Sequence, residues 1–448
     1  MPYTSHTEDD RLKMLHALGI ESEDELFASI PVEHRLRDLL AMETGRTEPE
    51  LMRSFRERAA ANRPAAAAVS FLGGGVYDHA VPAAVRNIAS RPEFATAYTP
   101  YQAEVSQGTL QVIFEFQTHV SRLTELPVAN ASMYDAATAL AEAVLMAARV
   151  TRRNTVLLPA SLNPRYRAVV ERYCEGQSIA LRSVPLSEAG DIDAAALRDR
   201  LDESVAGVVV QTPGYFGVIE KPWTFSDAVH DAGALLVAVT DPISLSILRA
   251  PGSWGADIAV GEAQPLGGDM NFGGPLLGIM ACTNKLIRRM PGRIVSASTD
   301  VDGRDAYVLT LQTREQHIRR EKASSNICSN QGLMATRATV YLSLLGETGF
   351  VELGRSCFAA AHQLAAMIDA LDGYGLRYRG PFFREFVVTC RRDASDVVHA
   401  ARERGVFAGI PLSRYFGPSR RRELLVAVTE KHNTADFELL CEALAPAG

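Results

Sequence analysis

The chain has 448 residues and a net charge of −7, and 47% of its residues are apolar while 22% are charged. This length and composition indicate a globular protein large enough for two or three domains. No basic stripe indicates binding to nucleic acid or to an anionic membrane surface. No apolar run reaches the roughly 18 residues of a membrane span, and the acidic N-terminus lacks the apolar core of a signal peptide. We therefore expect a cytoplasmic protein.

The first 65 residues predict an N-terminal helical arm. Apolar residues at helical spacing occur between Leu12 and Ile30, and a second helix is expected from about Pro49 to Asn62. The apolar content of this stretch is too small for a separate core. We expect the arm, residues 1–65, to pack against another surface.

Two loops precede the first long helices. Residues 73–75 are three consecutive glycines followed closely by His79, and the polar stretch 96–107 contains Tyr98 and Tyr101. The glycines form either a tight turn, which we favour, or an anion-binding nest. A lone histidine is more often structural than an acid–base group, although His79 remains a candidate for that role.

From residue 154 onwards, short runs that are apolar throughout alternate with helical stretches. We expect strands at 155–158, 179–184, 206–211, 234–240, 257–260 and 275–281, and helices at 165–174, 193–201, 226–231 and 244–248. Runs of this kind are typical of strands buried on both faces of a parallel sheet. The pattern predicts a doubly wound α/β large domain over residues 66–329.

The last third of the chain predicts a smaller α/β domain over residues 330–448. The expected helices are 333–345, 351–371, 394–403 and 434–443, and the expected strands are 386–390 and 424–428.

Ligands bind outside the carboxyl ends of the strands in an open parallel sheet. Asp241 follows one such strand, and an acid at this place can pair with the pyridinium nitrogen of a cofactor. The alternative, which we favour on the residues alone, is that Asp241 begins a turn before Pro242 and caps the helix from Ser244.

The lysines argue against a cofactor in this chain. A pyridoxal-phosphate enzyme with this sheet needs a Schiff-base lysine one or two strands after the acid, and no lysine occurs between Lys221 and Lys285. The expected position is filled by residues 264–271. At the start of the predicted helix 135–149, Asp135 would cap the backbone N–H groups and repel a phosphate dianion.

The cysteines and the charged segment 314–322 give weaker indications. The cysteines lack metal-site spacing, which predicts buried thiols in a reducing compartment and neither disulfides nor a zinc site. The six residues are Cys174, Cys282, Cys328, Cys357, Cys390 and Cys441. Segment 314–322, which includes His317, is read as a solvated helix with Glu/Arg pairs or as an interface helix.

Many stretches, in order along nearly the whole chain, resemble the alpha-subunit P-protein of the glycine cleavage system. They are 73–79 (GGGVYDH), 93–102 (EFATAYTPYQ), 106–108 (SQG), 114–117 (FEFQ), 132–135 (SMYD), 255–257 (GAD), 272–275 (FGGP), 290–293 (MPGR), 314–330 (REQHIRREKASSNICSN) and 425–431 (LVAVTEK).

This resemblance implies a fold-type-I, aminotransferase-like architecture and an alpha–beta pair that is usually doubled to four chains. It implies that the pair decarboxylates glycine, passes the aminomethyl group to the lipoyl arm of the H-protein, and carries pyridoxal phosphate on the beta chain. The missing lysine agrees with the alpha role, so we assign no cofactor-binding residue here. The candidate cleft or interface residues are His79, Tyr98, Tyr101, Asp241 and His317.

The sequence departs from the family pattern in a few places. Ala136 stands where glycine is expected, Asn163-Pro164 stands where His-Pro is expected, and the loop 263–271 is divergent. These departures leave room for a paralogue that acts on another amino acid. Two further alternatives also stay open, namely a non-catalytic scaffold that stabilises the beta chain and a free-standing pyridoxal-phosphate enzyme with an unusual lysine.

Overall fold

The computed structural model describes residues 5–36, 42–62, 68–98, 100–270 and 274–445. Asn271 and the first two residues of the 272–275 motif lie outside these ranges. The chain divides into two compact units, residues 1–63 and residues 64–448.

In its described residues, the first unit contains the α-helices α1 (Glu8–Leu18) and α2 (Glu48–Ala60), with short 3-10 turns at Glu23–Phe27 and Val32–His34. The side chain of Thr7 caps α1 by accepting a hydrogen bond from the N–H of Asp10. Neither helix contains a buried residue, which agrees with the small apolar content of this part of the sequence.

The second unit alternates helices and strands. Its helices, as far as the residues are described, are α3 (Ala83–Ala89), α4 (Pro92–Ala95), α5 (Gln107–Thr124), α6 (Ala136–Thr151), α7 (Pro164–Glu175), α8 (Ala194–Arg198), α9 (Ser226–Asp231), α10 (Gln316–Arg319), α11 (Gly332–Asp369), α12 (Ala394–Glu403), α13 (Ser413–Phe416) and α14 (Thr434–Leu444). Its strands are β1 (Val69–Ser70), β2 (Val128–Ala129), β3 (Thr155–Pro159), β4 (Ala180–Val184), β5 (Val205–Thr212), β6 (Leu235–Thr240), β7 (Ile258–Glu262), β8 (Gly278–Cys282), β9 (Ile294–Thr299), β10 (Asp305–Thr310), β11 (Gly375–Leu376), β12 (Glu385–Thr389), β13 (Val406–Phe407), β14 (Ile410–Pro411) and β15 (Glu423–Ala427).

The large sheet has the strand order β2-β8-β7-β6-β5-β3-β4 among the described residues. Strands β3 to β7 are parallel, whereas β8 and β2 are antiparallel to their neighbours. Helices α6 and α7 pack on one face, and α5 with the first half of α11 packs on the other. Apolar side chains on both faces of the strands explain why the sequence runs are apolar throughout. The predicted, mostly parallel α/β architecture is confirmed.

The small sheet has the antiparallel order β11-β12-β15-β14 in the part of the chain that is described. The second half of α11, α12 and α14 pack on it. Helix α11 joins the two helices expected at 333–345 and 351–371, with a break at Gly346, where φ is 63° and ψ is −174°. Only glycine adopts these angles easily.

Two local expectations were wrong, and one pair of strands was not predicted. The helix expected at 244–248 is only a 3-10 turn, Ser244–Ser246. Segment 314–322 contains the four-residue α10 and a further turn instead of a continuous solvated helix, because Arg314 and Glu315 are buried. The antiparallel hairpin β9–β10 was missed. Among the helices of the described residues, none combines the length and the apolar character needed to cross a membrane.

We expect Gly217→Ala to destabilise the protein far more than Gly405→Ala. Both glycines have positive φ, +86° and +78°, so alanine adds backbone strain of about 1 kcal/mol at either place. A Cβ on Gly217 would lie only 1.9 Å from the carbonyl oxygen of Glu385, whereas a Cβ on Gly405 meets no described atom within 4 Å.

The clash would separate the loop after β5 from β12 and should cost roughly 2–3 kcal/mol more. Urea denaturation of the two variants measures this difference. Equal unfolding midpoints would show that the close approach of the two segments is not rigid.

Candidate functional site

The described loops at the carboxyl ends of β3, β5, β6 and β7 surround a small cavity at the edge of the large sheet. The space left inside is only about 30 Å³, which is enough for one or two water molecules. The lining residues are Gly74, Gly75, Tyr77, Asn163, Tyr166, Gln211, Pro213, Tyr215, Val239, Thr240, Asp241, Glu262, Arg384 and Glu385. The cavity lies where the strand order predicts a ligand site.

A chain of four charged or polar side chains begins at this cavity with Asp241 and Arg384 and leads away from it to His79 and Glu430. Nη2 of Arg384 lies 2.6 Å from Oδ2 of Asp241, and Nη1 of Arg384 donates to Nε2 of His79. Nδ1 of His79 lies 2.6 Å from Oε2 of Glu430. Arg384 is 1% exposed, so its buried positive charge needs the carboxylate of Asp241 to compensate it. The two candidate residues Asp241 and His79 are thus joined through Arg384.

The contacts of His79 assign its protonation state. Because Nε2 accepts from a guanidinium, that nitrogen carries no proton, and Nδ1 is then the donor to Glu430. Burial lowers the pKa of His79, which favours the same neutral form. Burial opposes ionisation of Glu430, but the hydrogen bonds from His79 and from the N–H of Ala80 outweigh it and lower the pKa of Glu430 below its ordinary value.

Residues 71–79, which we call the glycine-rich strap, fill much of the cavity. The ring of Tyr77 lies 3.5 Å from Cζ of Arg384, a cation–π contact in a desolvated place. The carboxylate of Glu385 accepts hydrogen bonds of 2.7 Å from the N–H of Gly74 and from the hydroxyl of Tyr77. A Cβ on Gly73 would lie 2.4 Å from Glu385 and from Ala427, so glycine is required at that position for the strap to enter.

The N-terminus of α6 is occupied by carboxylates of the chain itself. Asp135 accepts from the N–H of Thr138 at 2.7 Å, as the sequence predicted. Glu262, at the end of β7, accepts from the N–H of Ala136 at 3.1 Å and from two further backbone N–H groups. Burial raises the pKa of Glu262 to about 7 despite these donors. Two of the first-turn donors that could bind a phosphate, the N–H groups of Ala136 and Thr138, are therefore already satisfied.

Gln264 begins the segment 264–271, which fills the position expected for the lysine. Its side-chain oxygen accepts from the N–H of Tyr77 at 3.1 Å, and its amide group donates to the carbonyl oxygens of Tyr77 and Gly268. The residue therefore fastens the glycine-rich strap to the loop after β7.

These residues do not fit pyridoxal phosphate. The described lining of the cavity includes no lysine, Asp241 is paired with Arg384, and carboxylates cover the first turn of α6. The remaining space is far smaller than the few hundred Å³ of ligand pockets in general. The chain places its own charged groups where the cofactor would bind.

Nor do the neighbouring side chains fit a metal ion. Ligand atoms of His79, Cys357 and Glu430 lie within 4.8 Å of one another. However, Nε2 of His79 already accepts from Arg384, so a metal on Nδ1 would require an imidazolate beside a guanidinium. Burial also raises the pKa of Cys357 to about 12, which disfavours the thiolate ligand.

The other candidate residues lie in a second group around Arg293. The guanidinium of Arg293 stacks on the ring of Tyr101 at 4.1 Å and lies 3.4 Å from the buried carboxylate of Glu315, to which His317 approaches within 3.5 Å. The hydroxyl of Tyr101 donates to Asn330. Among the described residues, Tyr98 forms no hydrogen bond, ion pair or ring contact with this group, and it is 95% exposed.

Sequence reasoning missed the residues that fill the cavity. Arg384, Glu385 and Glu430 come from the small sheet and its following loop, more than 300 residues from the strap that they contact. The strongest available signal was a charged pair, Arg384-Glu385, at the start of an apolar strand run.

The whole chain resembles proteins of one family. Residues 1–444 match the family model described as glycine cleavage system P-protein. Similar proteins are the "probable glycine dehydrogenase (decarboxylating) subunit 1" of Prosthecochloris aestuarii, 49% identical, and that of Sorangium cellulosum, 48% identical. Each alignment covers 99% of this chain and 99% of the relative.

Solved structures give the same result. A glycine decarboxylase (P-protein) of the glycine cleavage system, in inhibitor-bound form, has 44% identity and a TM-score of 0.90, with 99% of both chains covered. A glutamate decarboxylase from Lactobacillus brevis has a TM-score of 0.68 at 12% identity, covering 92% of this chain and 94% of its own. The latter likeness concerns the fold alone, which is the fold-type-I architecture predicted from the sequence.

We expect Glu385→Gln to remove a pH-dependent loss of stability. Burial raises the pKa of Glu385 from its ordinary 4.5 to about 7, against the hydrogen bonds from Gly74 and Tyr77. A raised pKa means that the folded state holds the proton more tightly, so stability is greatest below pH 4.5 and falls as the pH rises to about 7.

Glutamine keeps the acceptor for Gly74 and cannot ionise, so the variant should be more stable than the parent at pH 8 by on the order of 3 kcal/mol. Urea midpoints at pH 5 and pH 8 measure the effect. Glu438→Gln, on the exposed surface of α14, is the control and should keep the parent profile. If the stability of Glu385→Gln depended on pH in the same way as that of the parent, Glu385 would be ionised throughout this pH range.

Proposed function

The chain belongs to the glycine cleavage system P-protein family, and from this premise we propose that it is the alpha subunit of glycine dehydrogenase (decarboxylating). Together with a second subunit, the enzyme decarboxylates glycine and transfers the aminomethyl group to the lipoyl arm of the H-protein. The "subunit 1" in the names of the relatives supports a partner subunit, and we take this partner to be the beta chain.

The filled cavity is the observation that supports different roles for the two subunits. Arg384 neutralises the acid that would meet a cofactor ring, and Glu262 and Asp135 satisfy the N–H groups that would meet its phosphate. We infer that pyridoxal phosphate, which supplies the electron sink of the reaction, is bound by the beta subunit. This chain then contributes to catalysis through its surface.

Two parts of this chain are suited to meet the partner. Helices α1 and α2 have no buried residue, while side chains such as Leu18 and Phe55 are more than 60% exposed; apolar side chains of this kind are buried in permanent interfaces. The group around Arg293 brings Tyr101 and His317 together at the surface. We propose that the arm anchors the beta subunit and that Tyr98, Tyr101 and His317 border its cleft.

The test is the exchange of labelled bicarbonate into glycine by the reconstituted system. This chain, a beta-type chain, H-protein and pyridoxal phosphate are mixed, and the rate is compared with that of the beta chain and H-protein alone. We expect exchange well above the beta-only rate. Exchange at the beta-only rate, from a complex that copurifies, would contradict the proposal.

Tyr101→Phe distinguishes a catalytic contribution from a scaffold role. Loss of the hydroxyl removes the hydrogen bond from Tyr101 to the side-chain oxygen of Asn330. Asn330 then keeps only the bond from its amide group to the carbonyl of Ala131, at 2.8 Å, so the loop that is proposed to border the partner is held less firmly. We expect kcat of the assembled complex to fall on the order of tenfold.

Tyr374→Phe is the matched control, because the hydroxyl of Tyr374 also donates one hydrogen bond, to the carbonyl of Leu444, outside the proposed cleft. It should leave kcat unchanged. If Tyr98→Phe and Tyr101→Phe both retain full turnover, this chain acts only as a scaffold for the beta subunit.

A further inference from the structure

Two adjacent surface segments carry six cationic side chains that have no ion-pair partner among the described residues. All six are exposed, and none takes part in a salt bridge within the described part of the chain, whereas Arg293 between them pairs with Glu315. We call this surface the basic face. Its residues are Lys285, Arg288, Arg289, Arg319, Arg320 and Lys322.

The two segments form one surface because buried arginine contacts join them. Nη2 of Arg314 donates to the carbonyl of Gly292 at 3.0 Å, and Nη1 donates to the carbonyl of Met290. Arg293 in turn donates to the carbonyl of Cys328 at 3.1 Å. Cations that are about 30 residues apart in sequence therefore lie on two segments that contact each other.

The charge of this face is opposite to that of the whole chain. The chain carries −7 overall, yet in segments 284–293 and 313–322 the only acids are Glu321 and the buried Glu315. Unpaired like charges on neighbouring positions repel one another and lower the stability of the isolated chain. Such an arrangement suits an anionic partner that comes to this side.

The chemistry of the face favours a transient protein partner. Permanent interfaces are more apolar, whereas brief, electrostatically steered encounters use exposed charges. Nucleic-acid surfaces interleave cations with aromatic side chains for stacking, and the two segments contain no Phe, Tyr or Trp. The overall negative charge of the chain would also repel a long polyanion.

We propose that the basic face is the docking surface for an acidic face of the H-protein, the mobile carrier that must reach and leave the complex in every cycle. The inference rests on the function proposed above. The face continues into the group around Arg293, which includes Tyr101 and His317. A carrier that docks on the basic face therefore has its lipoyl arm beside the surface proposed to border the partner's cleft.

The test reverses one charge on each segment with Arg288→Glu and Lys322→Glu in the assembled complex. Neither side chain has a described hydrogen-bond or ion-pair partner, so the change acts on the surface potential. We expect the KM for H-protein in the exchange reaction to rise about tenfold at low salt, with kcat changed less than twofold. At about 0.5 M salt the difference should largely disappear.

The matched control is Arg392→Glu with Arg421→Glu, two exposed arginines in the small-sheet part of the chain that undergo the same change of charge. An equal rise of KM in both double variants would overturn the proposal, because it would reflect net charge alone. An unchanged KM for the double variant Arg288→Glu and Lys322→Glu would also overturn the proposal. Failure of this variant to copurify with the beta chain would overturn it too, because the face would then be a permanent subunit interface.

Two further measurements separate the remaining outcomes. Titration of fluorescently labelled H-protein into the assembled complex reports docking even without turnover, so an inactive parent complex would contradict the proposed function and leave the docking result readable. A fluorescent single-stranded oligonucleotide that binds the parent and not the variant, with no difference in H-protein binding, would overturn the proposal in favour of nucleic acid.

Discussion

The structure of the large unit depends on one buried guanidinium. Arg384 directly precedes β12 of the small sheet, and its guanidinium pairs with Asp241 at the carboxyl edge of the large sheet. The residue is 1% exposed. Removing one member of such a pair leaves an uncompensated buried charge and costs about 3–5 kcal/mol. The two sheets therefore cannot separate at this point without a large loss of stability, and the glycine-rich strap, His79 and Glu430 are arranged around the same cation.

The filled cavity reproduces the charge pattern of a cofactor site with the side chains of the protein. A cation lies against Asp241, where a protonated ring nitrogen would lie, and carboxylates lie at the N-terminus of α6, where a phosphate would lie. The fold thus keeps charges of the same sign at the places where the ring nitrogen and the phosphate of a cofactor would lie. Since side chains of the protein itself fill the cavity, the proposed contribution of this chain to glycine decarboxylation has to come from its outer surface.

The sequence predicted the local elements well because the periodicity of buried strands is a local property. The runs that became β3 to β7, the cap at Asp135 and the missing lysine could all be read from neighbouring residues. The contacts that fill the cavity could not be read in this way, because Arg384 and Glu430 meet His79 only after both sheets have formed. Segment 314–322 was misread for a related reason: its charges suggested a solvated helix, but Arg314 turns inward to bond the carbonyls of another segment.

We propose that this chain does not bind the cofactor of its own fold, and covalent trapping of pyridoxal phosphate is the sharpest test. The purified chain and its complex with the beta subunit are each incubated with pyridoxal phosphate, reduced with borohydride and analysed by peptide mass spectrometry. We expect a saturable one-to-one adduct on the beta chain in the complex, and none on any of the five lysines of this chain when it is alone. A saturable one-to-one adduct on this chain would show that it binds the cofactor itself.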